Sequence, residues 1–327
     1  DHHTARPVIL MSAPSYGLFT PQPEPLAYDI ETLPLRPEND WQIEPDIVEN
    51  RIRAIESDCT RKVVAYYNIN PHNPTGTVTP AAVTAQMANM LKQRNIWAID
   101  DMAYYGLEYD AVPTPLATHH FDKTITLFSA SKAFGLPRVR AAFACGHTEM
   151  MGAINDHIGM QMISLPSTVA PVLDACYGPQ HRPAAHNYLD SNQGGYAVSR
   201  NLVHSFIYGL QGMIIKNDDV STIHKMLREA FGSKKEADRI LRDGTPELRL
   251  ANAHMNAGYF AMLQISGLDN YFYGTTRLKN SFQFVAATID RTSTLALPLS
   301  CSVTNTHPDM RSALLLVECP HTVCLEA

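Results

Sequence analysis

Strands alternate with helices in the first half of this sequence. Apolar β-rich runs occur at 8–11, 61–67, 96–99 and 124–128. A segment with the apolar spacing of a helix lies between the first two runs, at 44–57, and another lies between the next two, at 79–91. This alternation is typical of a mainly parallel sheet that helices cover on both faces. In such sheets ligands bind at the carboxyl ends of the strands. The residues that follow each run are therefore the candidates for a functional site.

The run at 124–128 leads into Ser129-Ala130-Ser131-Lys132, and Arg140 precedes a second apolar run. A lysine becomes a nucleophile toward carbonyls when burial or a neighbouring cation disfavours its ammonium form. Hydroxyls and an arginine together form a phosphate clamp, because the guanidinium grips phosphate with a planar fork. An aldehyde that carries a phosphate, such as pyridoxal 5'-phosphate (PLP), fits both halves. Basic residues on a solvated surface are the alternative interpretation of this segment alone.

Two further clusters of turn residues follow the preceding runs. Asn73-Pro74-Thr75-Gly76 comes after the run at 61–67, and Asp101-x-x-Tyr104 comes after the run at 96–99. A carboxylate at the end of a buried strand is costly unless it is paired, and a protonated pyridine nitrogen is a suitable partner. An ordinary turn at 73–76 and a helix-capping aspartate at 101 are the alternatives for each cluster taken singly.

Together the segments NPHNPTG, DDMAYYG and SASKAFGLPRVR resemble fold-type I PLP-dependent enzymes of the class I/II aminotransferase family. The resemblance implies that Lys132 holds PLP as an internal aldimine and moves the proton, and that Asp101 pairs with the pyridine nitrogen. Asn73 and Tyr104 would bind the phenolic oxygen. By the same resemblance the remaining candidates are Ser129 and Arg140 for the phosphate, Ser131 as a lesser phosphate ligand, Tyr16 as the ring that stacks on PLP, and Arg311 for the substrate α-carboxylate.

The resemblance implies an aminotransferase that acts on an α-amino acid and a 2-oxo acid through a carbanion intermediate, as a homodimer. A PLP-dependent lyase or cyclase of biosynthetic metabolism could use the same residues, since PLP only stabilises the carbanion and the protein selects the bond that breaks. A PLP-binding regulatory domain without turnover is a third hypothesis. The sequence does not discriminate between substrate side chains.

The predicted fold is α/β, with a mainly parallel sheet flanked by helices and a smaller α+β domain at the C-terminus. We expect residues 1–211 to form the PLP-binding large domain and residues 212–327 the small domain. The family's glycine-rich phosphate-binding turn is not found in this sequence. We therefore expect the N-terminal part of the large domain to lie outside the sequence or to be built differently. Segment 24–41 is predicted to be irregular, and 220–241 to be one helix.

Charge and cysteine usage exclude several other classes. The net charge of −6 argues against a general nucleic-acid binder, and the sequence has no apolar run long enough for a membrane span. The six cysteines are scattered without a CxxC pair, which argues against a metal site and favours reduced thiols in a cytoplasmic protein.

Overall fold

The computed structural model describes residues 5–16, 28–57, 59–109, 111–161, 166–210, 217–246, 248–266, 272–277, 283–284, 297–298 and 312–318. In chain order the elements are β1 (Arg6–Ala13), β2 (Asp29–Pro34), α1 (Pro45–Glu56), β3 (Arg61–Ile69), α2 (Ala81–Gln93), β4 (Trp97–Asp101), α3 (Ala117–His120), β5 (Thr124–Ser129), α4 (Ala130–Ala133), β6 (Ala142–Cys145), α5 (Thr148–Gln161), α6 (Val169–Tyr177), α7 (Arg182–Tyr208), α8 (Asn217–Phe231), α9 (Lys234–Asp243), β7 (Leu248–Leu250), β8 (Phe260–Ser266), β9 (Phe272–Tyr273), β10 (Thr276–Arg277), β11 (Leu297–Pro298) and β12 (Ser312–Glu318).

The first sheet has six strands in the order β2-β1-β3-β4-β5-β6. All neighbours in it are parallel except β6, which runs antiparallel to β5. Helices follow β2, β3 and β4 along the chain, as crossover connections between parallel strands commonly do. The predicted mainly parallel sheet flanked by helices is confirmed.

Apolar side chains cover both faces of this sheet. On one face, Val48 and Ile52 of α1 pack with Val8, Leu10 and Tyr66 in a fully buried cluster. On the other face, Met11, Tyr67 and Ile69 form a smaller cluster. Burying apolar surface at about 25 cal/mol per Å² makes these two layers the main stabilisation of the sheet. The strand ends that carry the polar motifs are therefore held by a rigid scaffold.

The prediction that segment 24–41 is irregular is wrong for Asp29–Pro34, which forms the edge strand β2 paired in parallel with β1. Glu31 in this strand accepts hydrogen bonds from Arg51 and Arg61, each at 2.6 Å. The Glu31 carboxylate is partly buried, which opposes its ionisation, but the two arginines hold its pKa below the ordinary value. Ion pairs with residues distant in sequence thus support a strand whose own sequence is poor in apolar residues.

A second sheet has four antiparallel strands in the order β11-β12-β8-β7. Helices α8 and α9 pack on each other through Ile223, Leu227 and Ile240. The single helix predicted over 220–241 is in fact two helices. Gly232 has a φ of 60° between them, and the hydroxyl of Ser233 caps the second helix by accepting from the Glu236 N–H. This α+β arrangement confirms the predicted fold class of the C-terminal part.

The chain divides into two compact units. One contains Asp1–Asn73, Thr77–Asn192 and Asn256–Gly258, and the other contains Pro74–Gly76, Gln193–Met255 and Tyr259–Ala327. The domain boundary expected between residues 211 and 212 stays a prediction. Across the described residues, every helix is too short or too polar to cross a membrane.

Candidate active site

Three polar motifs meet at the carboxyl ends of β3, β4 and β5. In the sheet register Asp101 pairs with Ile69 on one side and with Leu127 on the other. The turn that contains Asn73 follows Ile69 directly, and Lys132 follows Leu127 by five residues. Parallel strands place their carboxyl ends at the same edge of the sheet. The fold therefore brings together segments that are about thirty residues apart in sequence.

Lys132 lies in the short helix α4, which follows β5 without a loop. The hydroxyl of Ser129 caps this helix by accepting from the Ser131 N–H at 3.2 Å. The side chain of Lys132 is half-buried, and its Nζ lies 5.6 Å from the ring centroid of Tyr104. This distance is within the range of a cation–π contact. Lys132 and Tyr104, predicted from separate motifs, are therefore neighbours.

Asn73 and Tyr104 are joined by a hydrogen bond. The Asn73 Nδ2 donates to the Tyr104 hydroxyl at 2.9 Å, and the two residues are only 8% and 5% exposed. A buried amide–phenol pair of this kind has a fixed orientation, because unpaired polar groups in the interior are costly. The Asn73 amide and the Tyr104 phenol are both donor groups of the kind that binds an anionic oxygen.

Asp100 and Asp101 lie on opposite faces of the sheet and have different surroundings. The Asp100 carboxylate accepts from the Asn68 amide at 2.8 Å and from the Leu116 N–H at 2.7 Å, and the residue is fully buried. Burial raises the pKa of Asp100 to about 6. Asp101 is half-buried and accepts from the Ala103 N–H at 2.9 Å. Of the two carboxylates, Asp101 is the accessible one.

The remaining predicted site residues are less enclosed. Arg140 is exposed, has a φ of 58° and donates from Nη1 to the Pro137 carbonyl oxygen at 3.2 Å. Ser131 is half-buried within α4. Tyr16 follows the end of β1 and is 47% exposed. Arg311 lies outside the described residues.

Sequence reasoning missed Tyr67, whose hydroxyl donates to Oδ2 of Asp101 at 2.6 Å. Burial and the charge of Asp101 raise the pKa of this phenol well above its ordinary value, so it stays protonated and donates. The alternation of side chains along β3 could have indicated that Tyr67 lies near Asp101. Tyr67 and Ile69 share a face of β3, and Ile69 pairs with Asp101.

His72, beside Asn73, was missed as well. Its Nε2 lies 3.1 Å from the Ser12 hydroxyl at the end of β1, and both residues are buried. Burial lowers the pKa of His72 to about 4, so the imidazole is neutral at physiological pH. This pair fixes the turn that carries Asn73. No sequence motif marks it, because Ser12 and His72 are brought together only by the pairing of β1 with β3.

The side chains at the carboxyl ends of these strands fit PLP. The half-buried Lys132 amine suits the aldehyde, and the accessible Asp101 carboxylate suits a protonated ring nitrogen. The Asn73–Tyr104 pair suits the phenolic oxygen. Ser129 accepts from Ser131 and still has its own O–H to donate, and the Arg140 guanidinium has donors beyond the one on Pro137; both suit a phosphate.

Comparison with known proteins supports this interpretation. The sequence profile of the family described as "Aminotransferase class I and II" matches residues 3–203. The chain belongs to that family. Its members use PLP as a cofactor. Among curated relatives, a probable aspartate/prephenate aminotransferase of Thermus aquaticus is 31% identical over 176 residues, which are 52% of this chain and 42% of the relative. A capreomycidine synthase of Streptomyces vinaceus is 26% identical over 186 residues, 55% of this chain and 46% of the relative.

Solved structures of aminotransferases share the fold. An aminotransferase from Mycobacterium tuberculosis superposes with a TM-score of 0.67 at 17% identity, covering 97% of this chain and 66% of that one. The Thermus thermophilus aspartate aminotransferase with maleate gives a TM-score of 0.66 at 16% identity and covers 96% of this chain and 66% of that one. The chain matches less than half the length of the curated relatives named above.

Proposed function

We propose that this protein is a PLP-dependent aminotransferase that transfers the amino group of an α-amino acid to a 2-oxo acid. One observation carries the proposal. The Lys132 amine lies over the ring of Tyr104, whose hydroxyl binds Asn73, so that groups from the three sequence motifs form one cluster. The proposal draws further support from the family to which the chain belongs.

When bound, PLP supplies an electron sink for the electron pair that remains when the α-carbon of an amino acid loses a proton. In the proposed mechanism the Asp101 carboxylate binds the ring N–H of the cofactor and keeps the nitrogen positively charged. The Ala103 N–H and the Tyr67 hydroxyl hold this carboxylate from the protein side. Each oxygen of a carboxylate has two acceptor positions, so both contacts leave room for the ligand.

Lys132 is the proposed catalytic residue. Its Nζ would accept the proton from the substrate α-carbon and hold it for return, as general acid–base catalysis requires. Asn73 and Tyr104 would bind the phenolic oxygen of the cofactor. Transamination needs a group that can both accept and return this proton. Helix α4 places Lys132 at the carboxyl end of β5, where the other site residues lie.

Ser129 and Arg140 are the proposed phosphate ligands, with Ser131 as an additional one. Ser129 ends β5 and pairs with Ala142 of the antiparallel strand β6, and Arg140 lies two residues before Ala142. Both residues can therefore approach one anion. We propose that Tyr16 stacks on the cofactor ring and that Arg311 binds the substrate α-carboxylate, as the family resemblance implies.

We also propose that the protein is a homodimer. Helix α5 carries several apolar side chains, but within the described part of the chain none of its residues is buried. Ile158 and Met160 are 42% and 80% exposed. An exposed apolar helix of this length suits an interface between two copies. A cytoplasmic location is our expectation from the cysteines, of which Cys59, Cys145 and Cys176 are free thiols.

Absorbance spectroscopy with added PLP tests the cofactor and the catalytic lysine together. Wild-type protein should gain a visible band and convert amino donors in the presence of a 2-oxo acid, whereas Lys132→Ala should lose both. Lys123→Ala is the matched control, because Lys123 also lies over an aromatic ring, that of Trp97 at 5.3 Å. Lys123 directly precedes β5, whereas Lys132 follows that strand. A wild-type protein that never takes up PLP would refute the proposal.

A further inference from the structure

We infer that Tyr67 is a positioning residue, whose hydroxyl orients the Asp101 carboxylate toward the ring nitrogen of the cofactor. The inference rests on the proposed function. It concerns a residue that lies in β3, upstream of the three motifs on which that function depends.

The geometry of the two strands supports this role. Tyr67 is two residues before Ile69 in β3, and Ile69 pairs with Asp101 at the end of β4. Side chains two residues apart share a face of a strand, so the phenol of Tyr67 extends along the sheet to reach Asp101. The hydroxyl donates to Oδ2 at 2.6 Å, while the Ala103 N–H donates to Oδ1 at 2.9 Å. Two donors from different strand ends thus fix the plane of the carboxylate.

The neighbouring residue pair shows what a purely structural arrangement looks like. Asn68 and Asp100, on the opposite face, are also joined across β3 and β4, at 2.8 Å. There the carboxylate is fully buried, and the Leu116 N–H donates to its second oxygen at 2.7 Å. Asp101 in contrast is half-buried, so part of the residue remains accessible while Tyr67 and the Ala103 N–H hold its two oxygens. Tyr67 supports an accessible acceptor, which is the arrangement a ligand requires.

The chemistry of the donor also fits. A phenol is neutral, so it orients the carboxylate without neutralising the negative charge that would pair with a pyridinium nitrogen. An arginine or lysine in its place would compete for that charge. Tyr67 is 7% exposed and packs with Met11 and Ile69, which restricts the ring to one position. Its hydroxyl is therefore placed by the apolar cluster.

Equilibrium binding of PLP and of its 1-deaza analogue, which lacks the ring nitrogen, tests the role. Tyr67→Phe removes the hydroxyl but keeps the packed ring. We expect about a tenfold weaker affinity for PLP, since the hydrogen bond that orients the charged Asp101 is lost. We expect no change in affinity for the deaza analogue. In an Asp101→Asn background the same substitution should have no further effect on PLP affinity. Tyr66→Phe is the matched control, because Tyr66 is buried on the opposite face of the same strand.

The outcomes separate this inference from the proposed function. If wild-type protein does not bind PLP, the proposed function fails. If wild-type protein binds PLP and Tyr67→Phe binds it equally well, only the role of Tyr67 is refuted. Equal losses for PLP and for the deaza analogue, or a loss in Tyr66→Phe as large as in Tyr67→Phe, would show a packing effect and would also overturn the inference.

Discussion

Replacing Asp100 with asparagine should stabilise the protein at neutral pH and remove part of its pH dependence. Asp100 is fully buried, and its two oxygens accept from Asn68 and from the Leu116 N–H. Asparagine has the same shape without the charge. Its oxygen can accept from Leu116, and the Asn68 amide can turn so that its own oxygen accepts from the new N–H.

The magnitude follows from the pKa of Asp100, which burial raises from 3.8 to about 6. A difference of about two pH units between the unfolded and folded states corresponds to about 3 kcal/mol. The folded state binds the proton more tightly, so the stabilising contribution of the neutral acid is complete below about pH 4. It is lost as the pH rises from about 4 through about 6, and above that the buried charge opposes folding.

Urea unfolding of the wild type and of Asp100→Asn between pH 4 and pH 8 measures this directly. All other groups titrate alike in both proteins, so their contributions cancel when one unfolding free energy is subtracted from the other. The difference should shift by about 2 kcal/mol in favour of the variant between pH 4 and pH 7, because the acid of the unfolded state is already partly ionised at pH 4. A difference that is constant over this range would refute a raised pKa for Asp100. Because Asp101 is the proposed ligand, Asp100→Asn should still bind PLP; a variant that does not would place Asp100 in the site.

Two further predictions concern the site and the assembly. Asn73→Ala removes the hydrogen bond to Tyr104 and should cost about 1–2 kcal/mol of unfolding free energy, since the buried phenol oxygen loses this donor. In that background Tyr104→Phe should cost clearly less than it does in the wild type, and additive losses in unfolding free energy would show that the two side chains are not coupled. Charged substitutions at Ile158 and Met160 of α5 should convert a dimer into a monomer in sedimentation experiments, with Gln161→Lys as the control on the same helix. A wild-type protein that sediments as a monomer contradicts the proposed homodimer.

The sequence predicted the sheet and the cluster at its edge because both depend on local patterns. Turn residues after Ile69, Asp101 and Ser129 mark the strand ends, and a parallel sheet must place those ends together. Lys132 and Tyr104 could be predicted to be neighbours from this rule alone. Their distance could not, because it depends on the short helix α4.

What the sequence did not predict depends on contacts between distant segments. Strand β2 is poor in apolar residues and is held by pairing with β1 and by the ion pairs of Glu31 with Arg51 and Arg61. Tyr67 acquires its role only through the register of β3 against β4. The break between α8 and α9 was visible in principle, since Gly232-Ser233 is a helix stop followed by a cap.

Arg140 has a strained backbone conformation and a proposed role in phosphate binding. Its replacement should therefore affect the unfolding free energy and the PLP affinity differently. Its φ of 58° lies in the left-handed region, which costs a residue with a side chain about 1–2 kcal/mol relative to the ordinary helical region. Glycine adopts this conformation without that cost. An exposed residue whose hydrogen bond is to the Pro137 carbonyl has little structural reason to be arginine at this position.

Arg140→Gly should therefore fold at least as stably as the wild type, while its PLP affinity falls about ten- to a hundredfold through loss of a charge-assisted phosphate contact. Arg140→Ala should lose the same affinity but be about 1 kcal/mol less stable than Arg140→Gly, because alanine keeps the strain. Urea unfolding and PLP titration of both variants separate the two effects. If Arg140→Gly binds PLP as tightly as the wild type, the guanidinium is not a phosphate ligand, and the strain at this position has no explanation in the proposed site.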